Sequence, residues 1–230
     1  RGLWHRLQKG RGETMKFRIN YEVKGTLAFL SHLEMMRLWQ RAILRSGLPV
    51  AWSNGFNPRP KLSLGPARGV GIEGCSEYFD VECKAKVDPE ELVKKLNDIL
   101  PEGIFILAVR EIPQSGKMLE AIIDEAVYKV TFPQGLPADA KEKAAAFLKE
   151  KTAPFIRKSP KGSKEVDLRA FVNGIEIKED GIYLSLKTSP AGSIRVTELL
   201  TVFGYWDIIK DIRIQRLGLF VTVGTKRFTP

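Results

Sequence analysis

The fold of this chain is decided by residues 17–47, which read FRINYEVKGTLAFLSHLEMMRLWQRAILRSG. The first seven residues alternate apolar and polar side chains, which is the period of a half-buried strand. Ser31 and Glu34 have the spacing of a capping box, in which each residue satisfies an unpaired backbone donor at a helix start. Apolar residues recur at helical spacing over residues 35–43, and Gly47 is a typical terminator. We therefore predict a strand followed by an amphipathic helix.

The pattern continues outward from this segment with two more strands, a helix and a strand. Strand-like apolar runs occur at residues 49–64, where a polar loop interrupts them, and at residues 77–83. Asp88, followed by a proline and two acidic residues, is a strong helix start. Residues 104–111 form the last strand-like run. This order of elements, β-α-β-β-α-β, is that of the ferredoxin-like arrangement.

A similar order of patterns recurs in the second half of the chain. It includes a strand-like run at residues 165–172 and a final one that ends near residue 220. We therefore predict an α+β protein of two tandem ferredoxin-like (βαββαβ) units. The predicted organisation is a basic tail or linker at residues 1–14 and a first unit at residues 15–113. A linker at residues 114–124 then leads to a second unit at residues 125–230.

The composition is typical of a soluble globular protein, with 43% hydrophobic and 28% charged residues among 230. No apolar run approaches the roughly 18–20 residues of a membrane helix, and residues 1–14 lack the apolar core of a secretory signal. Cys75 and Cys83 are too few for a disulfide scaffold or a four-thiolate metal site. We expect a cytoplasmic protein without a membrane partner, a metal or a cofactor.

The charge of the chain is strongly positive and unevenly distributed. There are 37 lysines and arginines against 27 acidic residues, which gives a net charge of +10. Residues 15–68 contain nine basic and two acidic side chains, whereas residues 69–156 contain eleven and sixteen. A basic segment beside an acidic one favours a surface that faces a polyanion. The alternative is that the two segments simply pair with each other.

Three arginines recur at intervals of four residues on the first predicted helix, namely Arg37, Arg41 and Arg45. Like charges at this spacing repel each other, so local helix energetics do not favour them. A track for phosphate groups would account for their presence. The alternative is ion pairing with the glutamates of the following segment, Glu73, Glu77 and Glu82.

A loop rich in Asn, Gly and Pro spans residues 53–65 and reads SNGFNPRPKLSLG. Phe56 is an aromatic ring among polar and cationic residues, a combination suited to stack on a base and bind phosphate. The alternative is that Phe56 fills the edge of the core. The nucleic-acid-binding residues predicted in and near this loop are Asn54, Phe56, Asn57, Arg59, Lys61 and Arg68.

Two further groups complete the predicted nucleic-acid site. Ser31 and His32 lie at the start of the first helix, beside the arginines. Residues 157–164, RKSPKGSK, are a hairpin or loop that either extends the phosphate surface or is merely solvated; its predicted contacts are Lys158, Lys161 and Lys164. His32 is a candidate general base for a ribose 2′-hydroxyl, but a capping or packing role is preferred, so no catalytic residue is assigned.

Several short segments together resemble a known family. They are FLSHL at 29–33, RA at 41–42, SNGFNP with PK at 53–61, VG and EY at 70–78, VDLR at 166–169 and RLGLF at 216–220. The chain resembles, over about residues 15–221, the bacterial radical SAM-linked proteins, a family whose biochemical role is not established. The resemblance implies a radical SAM protein as partner, fused to the chain or encoded beside it, and a setting near ribonuclease and ribosomal-protein genes.

We therefore predict an RNA-binding or substrate-presenting module, without catalytic activity of its own, that works with a radical SAM enzyme on tRNA, rRNA or a ribosomal component. One alternative is a metal-independent endoribonuclease of ferredoxin-like fold with His32 as the base, an analogy that rests on fold alone. The other alternative is a docking module that binds the radical SAM partner through its charged face and binds no RNA.

Overall fold

The structure, a computed structural model, describes residues 14–159, 162–189 and 192–230. These residues divide into two units, each of which combines helices with strands, so the chain is an α+β protein. The first unit contains residues 14–70 and 76–119, and the second contains residues 71–75 and 120–230. The second unit therefore includes a short segment that lies, in sequence, inside the first.

The first unit has four strands and two main helices. They are β1 (Met15–Val23), α1 (His32–Arg45), β2 (Leu62–Leu64), β3 (Glu73–Cys83), α2 (Pro89–Asn97) and β4 (Ile104–Ile112). A 3-10 turn, Gly25–Phe29, connects β1 to α1. The strands lie in the order β2-β3-β1-β4, with β2 antiparallel to β3 and β4 antiparallel to β1. The first three residues of β3 group with the second unit.

The core of the first unit lies between this sheet and its helices. Alternate residues of β1, from Phe17 to Val23, are buried there, as the alternation of the sequence predicts. Trp39 of α1 is fully buried, and its ring centroid lies 4.8 Å from that of Tyr21 and 4.2 Å from that of Phe79. The strand and the amphipathic helix predicted from residues 17–47 are therefore confirmed.

β4 lies at an edge of the sheet, and one of its backbone groups is bonded from outside the sheet. Asn97, the last residue of α2, accepts a hydrogen bond at its Oδ1 from the N–H of Ile106, at 2.9 Å. At the other end of α2, Asp88 accepts a hydrogen bond from the N–H of Glu90 at 3.2 Å, which confirms the predicted helix cap.

The second unit has more strands. After α3 (Leu119–Ile122), its elements are β5 (Glu125–Thr131), α4 (Ala140–Lys149), β6 (Pro154–Ser159), β7 (Gly162–Asp167), β8 (Val172–Lys178), β9 (Gly181–Ser189), β10 (Gly192–Ser193), α5 (Val196–Val202), β11 (Arg213–Val223) and β12 (Lys226–Phe228). Four antiparallel strands lie in the order β8-β9-β5-β11. Glu73 and Gly74 pair in parallel with Gln215 and Arg216 of β11, so this sheet is mixed.

Two predicted strands differ from the structure. The strand predicted at residues 165–172 is only partly correct: residues 165–167 belong to β7, and a 3-10 turn at Arg169–Phe171 then separates β7 from β8. The Asp167 carboxylate stabilises this break by accepting hydrogen bonds from the N–H groups of Ala153 and Arg169. The first part of the strand-like run at residues 49–64, residues 49–52, forms only isolated bridges, one of which joins Trp52 to Pro60. Proline has no N–H to donate to a strand ladder, which limits regular pairing there.

The helices are short, and the longest, α1, has 14 residues. Within the part of the chain that the structure describes, no helix combines the length and the apolar character needed to cross a membrane.

Candidate functional site

A groove of about 640 Å³ runs along α1 in the first unit. The residues of α1 that line it are Glu34, Arg37, Leu38, Arg41, Ala42 and Arg45. The remaining lining residues come from the segment between β1 and α1, with Leu27 in the 3-10 turn and Leu30 directly after it, and from the segment between α2 and β4, with Ile99 and Pro101. The three arginines lie on successive turns of α1, separated by an axial rise of about 6 Å. The structure therefore places the predicted arginine series along a concave surface.

The three arginines are exposed to solvent. None of them forms an ion pair with a carboxylate of residues 14–159, 162–189 or 192–230. Glu82 pairs instead with Lys61 at 3.0 Å, and Glu73 pairs with Arg213 at 2.6 Å. The alternative interpretation, in which Glu73, Glu77 and Glu82 pair with the three arginines, is therefore wrong for the residues that the structure describes. The positive charge along the groove faces water.

A fixed negative charge lies at the N-terminal end of the groove. Ser31 and Glu34 form the predicted capping box: the N–H and the hydroxyl of Ser31 donate to the Glu34 carboxylate at 2.8 and 2.7 Å, and the N–H of Glu34 donates to the Ser31 hydroxyl at 3.4 Å. The hydrogen bonds from Ser31, with a smaller contribution from Arg37, hold the pKa of Glu34 below its usual value. The Ser31 hydroxyl thus caps the N-terminus of α1.

The candidate general base, His32, and the buried cysteine, Cys83, have different environments. His32 is the first residue of α1 and is half-buried. Cys83 is buried in the core of the first unit, and burial raises the pKa of its thiol to about 11, which suppresses the reactive thiolate. In the described residues no group of three or more His, Cys, Asp or Glu side chains is arranged to hold a metal ion.

The loop at residues 53–60 is closed at its base and displays an aromatic ring. The N–H of Ser53 donates to the carbonyl of Arg59 at 2.8 Å, and the N–H of Arg59 donates to the Ser53 hydroxyl at 3.0 Å. Gly55 has a φ of 135°, which few other residues adopt readily. Phe56 is fully exposed, with a relative exposure of 107%. The alternative interpretation, in which Phe56 fills the edge of the core, is therefore wrong.

The other predicted residues of this region are of two kinds: some are exposed in the loop, and others contact the rest of the protein. Asn54, Asn57 and Arg59 are exposed in the loop with Phe56. Lys61 and Arg68 are engaged with the protein: Lys61 pairs with Glu82, and the guanidinium of Arg68 donates to the carbonyl of Ala28 at 3.1 Å. Ala28 lies in the 3-10 turn, so Arg68 supports the turn that carries the lining residue Leu27.

The basic cluster at residues 157–164 lies on a β-hairpin of the second unit, formed by β6 and β7. Lys158 and Lys164 are exposed on it, whereas Lys161 lies outside the described residues. Arg157 anchors the hairpin, because its guanidinium donates to the Glu198 carboxylate at 2.6 and 2.7 Å. Burial raises the pKa of Glu198, but the hydrogen bonds from Arg157 and from the N–H of Arg195, together with the charges of these two arginines, outweigh burial and leave that pKa lowered.

Most of the predicted site residues that the structure describes therefore fall into three groups: the α1 groove, the loop around Phe56 and the β6–β7 hairpin. Ser31 and His32 lie at the N-terminal end of α1 and do not line the groove. The apolar lining of the groove was not predicted. Leu27, Leu30 and Ile99 show no pattern that distinguishes them from ordinary core residues, and only the fold places them beside the arginines.

The chain matches one protein family. Residues 16–198 match the family described as "Uncharacterized protein conserved in bacteria (DUF2344)". The matched range includes α1, the loop around Phe56 and the β6–β7 hairpin. No curated protein matches the chain at a significant level.

Proposed function

This chain belongs to the DUF2344 family of uncharacterised bacterial proteins, and we propose that it is a cytoplasmic RNA-binding module. In this proposal it presents tRNA, rRNA or a ribosomal component to a radical SAM enzyme, which performs the chemistry. The observation that carries the proposal is the series Arg37, Arg41 and Arg45. These side chains are exposed on one groove and form no ion pair with a described carboxylate.

The arrangement of the arginines suits a polyanion better than it suits the isolated protein. Side chains four residues apart on a helix are neighbours, so three arginines at this spacing repel each other. Binding of phosphates removes that repulsion and releases the counterions condensed on the nucleic acid. The net charge of +10 adds long-range attraction for any polyanion.

The loop around Phe56 offers the second element of RNA recognition. A ring that is fully exposed on a closed loop is available to stack on an unpaired base. The neighbouring Arg59 is exposed and supplies a positive charge for the backbone. Proteins that bind single-stranded or looped RNA combine these two chemistries, stacking and phosphate contact.

The strand order supports the interpretation of both units as ferredoxin-like. In that fold a βαβ unit is split by a third strand that lies between its two strands. β3 lies between β1 and β2, and β9 lies between β5 and β8. The radical SAM partner is proposed from the sequence resemblance alone, and the RNA is the ligand that the groove and loop support.

The proposal is tested by fluorescence anisotropy of the purified chain with labelled RNA and DNA across a salt series. We expect submicromolar binding of RNA at low salt and a steep negative slope of log affinity against log salt. A preference for RNA over DNA of the same sequence would indicate contacts with the 2′-hydroxyl or with A-form geometry. Absence of RNA binding at low salt would refute the proposal and favour docking on the radical SAM protein.

A further inference from the structure

The groove along α1 has two chemically different sides. All of its basic lining residues lie on α1, whereas every lining residue from the other two segments is apolar, namely Leu27, Leu30, Ile99 and Pro101. The two leucines and Ile99 are half-buried, so part of their surface remains in contact with water. Leaving apolar surface in water is unfavourable, and phosphate binding alone does not explain why this surface lines the groove.

The two sides match the two sides of a nucleic acid strand that is not base-paired. In duplex RNA the bases are stacked inside, and the protein meets phosphates and 2′-hydroxyls. In a single strand the bases can turn away from the backbone and contact apolar or aromatic side chains. We infer that the groove binds a single-stranded RNA segment, with its phosphates along α1 and its bases against the apolar lining. This inference rests on the proposed RNA-binding function.

The length of the RNA segment that the groove binds follows from the positions of the charged residues on α1. Neighbouring arginines are about 6 Å apart along the helix axis, which is comparable with the separation of adjacent phosphates in an extended strand. Glu34, whose pKa is lowered mainly by its hydrogen bonds to Ser31, remains ionised at neutral pH and disfavours a phosphate at the N-terminal end. The track from Arg37 to Arg45 therefore accommodates about three consecutive phosphates, one for each arginine.

The experiment compares three labelled probes with the whole chain by anisotropy. The probes are an unstructured single-stranded RNA of about twelve nucleotides, the same RNA annealed to its complement, and an abasic phosphodiester strand of equal length. We expect the single-stranded RNA to bind about tenfold more tightly than either other probe, because only it presents accessible bases to the groove. Equal affinity for the three probes would overturn the inference without the use of any variant.

Variants of the groove then test which residues cause the preference for single-stranded RNA. Leu30→Ala and Ile99→Ala are expected to weaken binding of the single-stranded RNA about tenfold and to change binding of the abasic strand less than about twofold. The control is Leu44→Ala, since Leu44 is exposed on α1 but does not line the groove. Melting curves monitored by circular dichroism verify that each variant is folded. Equal effects of Leu30→Ala on the two strands would contradict a base contact.

Two outcomes separate this inference from the proposed function. If none of the RNA probes binds at low salt, the proposed function itself fails. If both RNA probes bind but the single strand has no advantage, only the inference fails. Polyglutamate is added as a competitor for the labelled single-stranded RNA. If polyglutamate displaces that RNA as effectively as unlabelled single-stranded RNA does, base recognition is overturned and an acidic protein is indicated as the ligand.

Discussion

Arg18 of β1 and Asp80 of β3 form a two-point ion pair that is almost fully buried. The Nε of Arg18 lies 2.7 Å from Oδ1 of Asp80, and Nη2 lies 2.9 Å from Oδ2. The side chains are 5% and 2% exposed. Because successive residues of a strand point to opposite faces, this pair lies on the face of the sheet away from Phe17 and Phe79. The ammonium of Lys16 lies 3.8 Å from the same carboxylate.

The first prediction concerns this ion pair. Asp80→Ala should lower the free energy of unfolding by about 3–5 kcal/mol, because it leaves the Arg18 guanidinium buried without its partner. The double variant Arg18→Met with Asp80→Leu should be much less destabilising, since apolar residues of similar size replace the pair. Urea unfolding measures both. A single variant as stable as the wild type would show that the pair is solvated.

The second prediction concerns the salt dependence of RNA binding. Each of Arg37→Gln, Arg41→Gln and Arg45→Gln should reduce the slope of log affinity against log salt by about 0.7, the value for one phosphate contact on a single strand. The control is Lys94→Gln, which removes one exposed charge from α2 of the same unit. If the control reduces the slope as much as the arginine variants do, binding depends on net charge and the groove has no special role.

The third prediction concerns Phe56. Phe56→Ala should change the free energy of unfolding by less than about 0.5 kcal/mol, because the ring is fully exposed. The same change should weaken RNA binding by about 1–3 kcal/mol if the ring stacks on a base. Phe228→Ala removes another exposed ring from the second unit and should leave the affinity unchanged. Equal affinities of wild type and Phe56→Ala would remove the loop from the RNA site.

The fourth prediction concerns the pH dependence of stability through Glu125. Burial raises the pKa of Glu125, but hydrogen bonds from Arg227, Ser185 and Asn173, together with the charge of Arg227, outweigh burial and leave the pKa below its ordinary value of 4.5. A carboxylate with a lowered pKa contributes stability above its unfolded pKa, and that contribution is lost as the pH falls through the folded pKa. Wild-type stability should therefore decline below about pH 4.5.

Removal of Arg227 should reverse the sign of the pH dependence of stability that arises from Glu125. In Arg227→Met only burial and weaker hydrogen bonds act on Glu125, so its pKa should rise, and acidification towards that pKa should relieve destabilisation. The neighbouring change Lys226→Met leaves the ion pair intact and serves as the control. Urea unfolding of the three proteins across the acidic range measures the difference. Parallel pH profiles for wild type and Arg227→Met would contradict the role of the pair.

The fifth prediction separates binding from cleavage. The purified chain should leave labelled RNA intact during prolonged incubation with a chelator, and His32→Ala should leave it equally intact. The endoribonuclease alternative requires the opposite result, namely cleavage that persists with the chelator and disappears in His32→Ala. Gel analysis of the labelled RNA distinguishes the two.

Local signals in the sequence predict most elements of the first unit, although residues 49–52 form only isolated bridges. The capping box at Ser31 and Glu34 and the cap at Asp88 act over a few residues, and both are present in the structure. The hairpin considered at residues 157–164 is present, but its first strand, β6, begins earlier, at Pro154, which the sequence did not predict. The residues PFIRKS of β6 show no clear alternation, so the strand is recognised only by its pairing with β7. A strand that is stabilised mainly by pairing with its partner cannot be recognised from the pattern of its own residues.

The candidate site was predicted in part. The arginine series follows from helical spacing, and its exposure fits that prediction. The apolar lining could not be predicted, because Leu27 and Ile99 are distant in sequence and meet only in the folded unit. The contact of Arg68 with the carbonyl of Ala28, 40 residues earlier, is also a result of tertiary structure.

The hydrogen bond from the N–H of Ile106 to Asn97 bears on how the protein behaves in concentrated solution. β4 pairs with β1 on one side, and an open strand edge is a template on which a second molecule can add a strand. Asn97 occupies the N–H of Ile106, so an added strand that used this donor would first have to break that hydrogen bond. The residue that ends α2 thereby opposes strand addition at this one position of β4.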